Sequence, residues 1–387
     1  MIKNNVVIAG VGESDIGKVP ELSGLGLNAQ AAKRALDDAG LELKDVDGLL
    51  TAYSMTEPYF MMGSVLAEYL GIKPTYCASL TVGGGTPGTA LHHAAMAIAT
   101  GQAKTILVTA GENRATGQSR DAAVQALTQV GHPYFENPYG PLIPSFYAMI
   151  ANRYMHEFGT KREEMAAVAV RAREHAIRHP ASPMSKGITT EDVLSSKPIS
   201  TPLNILDCCL ISDAAGALVV TSADRAKDLK SDPAYLLGIG ESHTHEHMTM
   251  APSLTEFGTT ISGNAAYDMS GLTPAHIDFA ELYDCFSIVP IIEAEELGFA
   301  KRGEAGAMFA EGATSIEGSF PINTHGGLLS YAQAGASGGM HGIVEAVRQL
   351  RGNEGDRQVK KHDIGLVHNE GGILSSHCTM IFGREAI

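Results

Sequence analysis

The sequence predicts an α/β protein in which one unit is used twice, and three observations lead there. Short β-branched runs alternate with helical patterns along most of the chain. A Gly-Leu, four residues, then an aliphatic-Asp pair before a strand occurs at 40–47 and again at 271–278. A glycine-rich loop that leads into a helix and then a strand also occurs twice, in the same order relative to the first motif. At 387 residues the chain is long enough for two such halves, here placed at 1–222 and 223–387.

Taken in order, the first strand is the apolar run 6–10. An amphipathic helix comes next over 27–36, closed by Gly40, and the second strand covers 46–53. The loop Val82-Gly83-Gly84-Gly85-Thr86-Pro87 opens a helical pattern that ends at Ala99-Thr100-Gly101, before a strand at 105–108. In the second half the strand 279–282 answers the strand 46–53. Gly326-Gly327 through Gly338-Gly339, a helix at 343–350, Gly352 and a strand at 364–367 answer the glycine loop, its helix and the strand 105–108. Between the halves, about 115–200, lie Pro133, Pro138, Pro141 and Pro144 and the charged stretch Lys161-Arg162-Glu163-Glu164, which mark an inserted loop or cap region.

Composition narrows the function. A net charge of −15 argues against a surface for nucleic acid, though not against a local basic patch for a phosphorylated ligand. No apolar run approaches the roughly 20 residues a membrane span needs. The start Met1-Ile2-Lys3-Asn4-Asn5 leads into a strand and has no secretory apolar region. Five cysteines without zinc-type spacing fit a reducing compartment, so a cytoplasmic protein is expected. Cys208-Cys209 is followed by Ser212-Asp213-Ala214-Ala215, read as a turn, and is assigned a structural role. His243, His245 and His247 would share one face of an extended chain, but an exposed edge or loop accounts for them better than a metal, and no metal site is assigned.

The glycine loop places backbone N–H groups at a helix N-terminus, where negative charge is favoured. No G-x-G-x-x-G with a downstream acidic strand end accompanies it, so it is not a dinucleotide fingerprint. His92 and His93 come after it in the helix, one of them expected to face the site or a subunit interface.

Four segments carry a resemblance: Cys208-Cys209-Leu210-Ile211-Ser212-Asp213-Ala214-Ala215-Gly216-Ala217, Glu281-Leu282-Tyr283-Asp284-Cys285-Phe286, Asn323-Thr324-His325-Gly326-Gly327 and His368-Asn369-Glu370-Gly371-Gly372. Through them nearly the whole chain resembles the thiolase superfamily, in particular the sterol-carrier-protein-X type. The resemblance implies two βαβαβαββ halves in an α/β/α/β/α layered core with a loop domain inserted in the first. It also implies a homodimer and an acyl-CoA ligand, with coenzyme A as part of the substrate and no separate cofactor. The departures from the pattern fall on the chemistry. Gly84 stands where such thiolases carry their nucleophilic cysteine. Tyr283 replaces the histidine of the His-Asp-Cys-Phe segment, and Gln333, in Ala332-Gln333-Ala334, replaces the histidine that activates the nucleophile. Cys285 remains, at the position resembling the acid–base cysteine.

Covalent acyl transfer needs a nucleophile and an adjacent base, and both are replaced here. Gly84 and Gly85 with Gly371 and Gly372 keep the backbone donors for an oxyanion. Gln333, His325, His368 and Asn369 complete the expected substrate-binding set. Gln333 donates hydrogen bonds but is no base near neutral pH. Tyrosines in a cysteine-less site of this kind resemble the steroid side-chain retro-aldolases of the superfamily. Tyr283 sits at their strand-end tyrosine and Tyr331 lies in the loop of their second one. Tyr283, Tyr331 and Cys285 are therefore the expected catalytic residues, with a tyrosinate, its pKa brought down by the site, as base. The resemblance further implies a separate DUF35-type zinc-ribbon and OB-fold partner. Two other readings remain open: a thiolase-type acyltransferase using another cysteine such as Cys77, and a non-catalytic acyl-CoA-binding subunit.

Overall fold

The computed structural model describes residues 2–119, 121, 122, 125 and 128–387. The first half runs β1 (Val6–Glu13), α1 (Gly24–Ala39), β2 (Gly48–Ala52), α2 (Met62–Leu70), β3 (Tyr76–Leu80), α3 (Thr86–Ala99) and β4 (Thr105–Asn113). After a long insertion with a short hairpin, β5 (Pro198–Ser200) and β6 (Leu203–Asn204), it closes with β7 (Asp213–Ser222). The second half repeats this with β8 (Ala234–His243), the helix Thr259–Ser270, β9 (Phe279–Glu281), the helix Val289–Glu296, the helix Gly338–Arg351, β10 (Ile364–Gly371) and β11 (Ser376–Gly383).

The strands pair in the order β3-β2-β4-β7-β1-β8-β11-β10-β9, and Ile322 bridges the outer side of β9 at Ala280. Read outward from the β1–β8 seam, the two halves present the same sequence of strands, with Ile322 at the place of β3. The seam itself is short, Val7 opposite Tyr235 and Ile8 opposite Ala234. On each side of it the outer strands pair in parallel and the inner ones antiparallel.

Burial explains the elements. β1, β4 and β10 are buried along nearly their whole length, polar residues included, because helices cover both faces. α1 buries Leu25, Ala31, Ala32, Ala35, Leu36 and Ala39 on one face. Ser23 caps its start by accepting from the Gly26 amide, and Gly40 ends it at φ 73°. α3 and the helix Gly338–Arg351 are buried on nearly every side, touch each other, and each packs on strands of both halves. They form a middle α layer, with α1 and the helix Thr259–Ser270 on the outside.

The insertion, from the end of β4 to the start of β7, carries the helices Ile143–Phe158 and Arg162–Ala176, which join the core of the second half through Phe146, Tyr147, Ile150 and Tyr154. Two expectations are corrected here. Asp213-Ala214-Ala215 is the first part of β7, not a turn. Its alanines have weak β-propensity, but pairing with β4 on one side and β1 on the other decides the conformation. The helix expected at 343–350 begins at Gly338, because tertiary packing overrides the poor propensity of Gly338 and Gly339.

Candidate active site

Two glycine turns meet at the head of α3. A Cβ on Gly83 would lie 2.7 Å from the Gly372 amide nitrogen, and one on Gly371 would lie 1.8 Å from the Val82 carbonyl oxygen, so only bare backbone fits on either side. Thr86 Oγ1 braces the loop, accepting from the Val82 amide and donating to the Gly83 carbonyl. Gly85 is the residue from which α3 starts.

Tyr283 fills the space above Gly84. A Cβ on Gly84 would stand 2.0 Å from Tyr283 Oη, 2.3 Å from its Cζ and 2.6 Å from the Glu370 carbonyl oxygen. A Cβ on Gly338 would come within 3.0 Å of the same hydroxyl. Gln333 Nε2 donates to Tyr283 Oη at 3.1 Å, which leaves the phenolic hydrogen available to another acceptor. The Tyr283 amide is fixed by Glu293 Oε2 at 2.9 Å, and Asp284 takes the Leu328 amide at 2.6 Å, so the strand end is held on both sides. Gly84, Tyr283 and Gln333, singled out in the sequence as three replacements, are thus in one place.

Cys285 points to a cluster the sequence did not suggest. Its Sγ donates to Glu370 Oε1 at 3.2 Å, Tyr147 Oη donates to the same oxygen at 2.7 Å, and the Leu374 amide donates to Oε2 at 3.2 Å. Tyr147 comes from the insertion and stacks on Phe286, ring centroids 4.4 Å apart. Burial pushes the Glu370 carboxyl up to about 7, against the pull of the hydrogen bonds from Tyr147, Cys285 and Leu374. Burial also pushes the Tyr283 phenol well above its ordinary value, with Cys285 and Glu370 adding to the rise and Gln333 opposing it. The expected tyrosinate is therefore corrected: a phenol enclosed among uncharged and acidic groups keeps its proton at neutral pH. The Cys285 thiol is raised by burial too, and by Glu370.

Four expected residues are not brought to this centre. Tyr331 Oη donates to Glu13 Oε2 at 3.1 Å, within a buried group in which Glu13 also holds His341 at 2.6 Å and Arg348 at 2.5 Å. Tyr331 lines a separate cavity of about 330 Å³ with Glu13, Arg34, His179, Arg348 and Arg357, and neither Gly84 nor Tyr283 borders it. Two residues on, Gln333 is the side chain of this loop that reaches Tyr283. His325 Nδ1 pairs with Glu281 Oε2 at 2.8 Å, and its ring faces Tyr331 edge-on. His368 is bonded to Thr379 at 2.8 Å and His377 at 3.2 Å; burial and His377 hold it neutral, and it stands 3.8 Å from Glu293, behind Tyr283. Asn369 donates to the Gly339 carbonyl at 3.2 Å and so anchors the start of the helix Gly338–Arg351.

Other expectations fall away from the centre. Cys77 is exposed on β3, at the edge of the sheet. His92 Nδ1 pairs with Glu241 at 2.5 Å. His243, His245 and His247 bond to Ser376, the Ile373 carbonyl and the Val130 carbonyl respectively. Among the described residues no three metal-ligating side chains are grouped, and no helix is long and apolar enough to cross a membrane.

The glycine loop, the strand-end tyrosine and the duplicated halves coincide with known sequence families. The model of the thiolase N-terminal domain matches residues 6–224, and that of the thiolase C-terminal domain-like family matches 240–384. This chain is a member of the thiolase family. Within it, the 17-hydroxy-3-oxo-4-pregnene-20-carboxyl-CoA lyase of Mycobacterium tuberculosis is 38% identical over 91% of this chain and 93% of its own. The acetyl-CoA acetyltransferase of Methanothermobacter thermautotrophicus is 32% identical over 98% and 100%. A solved structure described as "Ltp2-ChsH2(DUF35) aldolase" superposes with a TM-score of 0.86 at 35% identity, covering 99% of this chain and 98% of that one.

Glu370 and Tyr147 are the site residues that sequence reasoning missed. Glu370 had a signal: it is an acidic residue between motif residues already singled out, in the buried strand β10. Tyr147 had none, because nothing in the insertion indicates which helix face meets the second half.

Proposed function

We propose that this thiolase relative cleaves the Cα–Cβ bond of a β-hydroxyacyl-CoA by a retro-aldol reaction, with no acyl-enzyme. The observation that carries the reading is the Tyr283 hydroxyl in the space a side chain on residue 84 would take. A nucleophile at 84 and Tyr283 in this pose exclude each other. The lyase and aldolase relatives support the same chemistry. An acyltransferase would need another nucleophile, and the exposed Cys77 on an edge strand has no base beside it among the described contacts.

In the reaction the β-hydroxyl loses its proton to a base and its oxygen becomes the new ketone. The Cα–Cβ electron pair passes into the thioester as an enolate, and Cα then takes up a proton. Tyr283, kept as a phenol and polarised by the Gln333 amide, donates to the developing enolate, while Gly84, Gly85, Gly371 and Gly372 leave backbone open to the same charge. Coenzyme A enters only as part of the substrate.

The proposal includes two partners. β3 is an uncharged edge strand, Tyr76-Cys77-Ala78-Ser79-Leu80, with alternate residues exposed, which supports a homodimer formed along that edge. A DUF35-type partner, as named for the structural neighbour, is supported by an apolar surface on the insertion, where Tyr134, Phe135 and Tyr139 are 80%, 65% and 86% exposed. A cytoplasmic location completes the reading. Incubation with 17-hydroxy-3-oxo-4-pregnene-20-carboxyl-CoA tests the activity: release of the C17 ketone with propanoyl-CoA is expected. Free CoA consumption with acyl transfer and no ketone would refute it.

A further inference from the structure

The proposed cleavage leaves one role unfilled. A phenol that keeps its proton cannot take the β-hydroxyl proton, and Gln333 is no base. We propose that Glu370 is the proton acceptor of the cleavage, with Tyr147 of the insertion as the residue that tunes it. The inference rests on the retro-aldol reading and names the base that reading requires.

Four observations carry it. Glu370 adjoins the centre: its backbone carbonyl oxygen is one of the three atoms that a Cβ on Gly84 would meet, together with two atoms of Tyr283, and its carboxylate accepts from Cys285, two residues on from Tyr283. Its carboxylate accepts three bonds, from Tyr147, Cys285 and the Leu374 amide, which leaves one of its acceptor positions for a substrate hydroxyl. All three donors are neutral and none is a cation that would tie the carboxylate into an ion pair. The facing titratable groups are Tyr147 from the insertion, Tyr283 and Cys285 from the end of β9, and Glu293 from the helix Val289–Glu296. Burial raises each of them and keeps it protonated, while Asp284, pushed up by burial to about 6, is engaged by the Leu328 and Leu329 amides, so Glu370 is the carboxyl poised near neutrality beside Tyr147 and Cys285. The division of labour is then complete: ionised Glu370 takes the hydroxyl proton as the bond breaks, and the Tyr283 phenol faces the enolate.

The carboxylate form is the active base, so activity rises with pH through about 7 and levels off above it. Tyr147 donates to the carboxylate and stabilises its ionised form, so Tyr147→Phe moves the ascending limb to higher pH.

The test is the pH profile of kcat/KM for the full-length protein, in the complex in which it purifies, with 17-hydroxy-3-oxo-4-pregnene-20-carboxyl-CoA as probe. The wild type is expected to rise about tenfold per pH unit below the limb. Glu370→Gln is expected to lose the limb and at least about 100-fold of the plateau rate. Tyr147→Phe is expected to keep the limb, displaced upward, which a purely structural tyrosine would not do. A Glu370→Gln protein that still shows the limb overturns the assignment, as does an unmoved limb in Tyr147→Phe. Should Glu370→Gln fail to fold, the Tyr147→Phe profile decides alone. A wild type that releases no ketone would instead remove the retro-aldol reading, and this inference with it.

Discussion

At the scale of residues, the site is an exchange of volume. The side chain absent at Gly84 is space that the Tyr283 ring uses, and the Gln333 amide then holds the phenol oxygen. Gly84→Cys forces Tyr283 out of place and is expected to cost about 1–3 kcal/mol in denaturant unfolding, as overpacking does. Pairing it with Tyr283→Ala should remove most of that penalty. A penalty undiminished in the double variant would show that the two residues do not compete for one space. Tyr283→Phe is expected to lower cleavage by about 10²–10⁴-fold, with the unfolding midpoint little changed, because the ring and its packing remain. Gly84, Tyr283 and Gln333 are legible in the sequence because each is a departure from a recognisable local pattern. Glu370 is legible only as an acidic residue within a motif, because sequence does not reveal which polar side chain of β10 is buried without a cation and which is bonded elsewhere.

Among elements, the loop 331–335 shows how a shift of two residues reassigns a role. The sequence places Tyr331 in the site, yet the turn after the short helix Gly327–Ser330 buries it toward Glu13 and presents Gln333 to Tyr283 instead. Tyr331→Phe is therefore expected to leave cleavage within about threefold of wild type while losing about 1 kcal/mol of stability, the worth of one hydrogen bond. Glu13→Ala should cost more, about 3 kcal/mol, since it strands buried His341 and unpairs Arg348, which still reaches solvent. A large loss of turnover in Tyr331→Phe with stability intact would return that tyrosine to the chemistry. The strands at 6–10, 46–53, 105–108 and 364–367 are legible from β-branched content and glycine boundaries. The start of β7 is not, because alanines and glycine become strand there only by lying between β1 and β4.

For the whole molecule, duplication is visible as repeated spacing, and the structure expresses it as two strand sets mirrored about the β1–β8 seam. Spacing cannot convey that the insertion of the first half packs on the second and carries Tyr147 to Glu370. One site is thus assembled from the α3 loop, the end of β9, the loop that carries Gln333, the end of β10 and the insertion. The open edge of β3 gives a prediction at this scale. Ser79→Lys, an exposed charge placed on that edge, is expected to shift a dimer to a monomer in gel filtration, and an unchanged elution volume would move the subunit contact elsewhere. The central claim, carbon–carbon cleavage without an acyl-enzyme, is tested most directly by a single turnover of 17-hydroxy-3-oxo-4-pregnene-20-carboxyl-CoA followed by intact-protein mass spectrometry together with product analysis. Ketone and propanoyl-CoA in equal amounts, with the protein mass unchanged throughout, is the predicted result; an acyl adduct on the chain, or turnover without ketone, would contradict it.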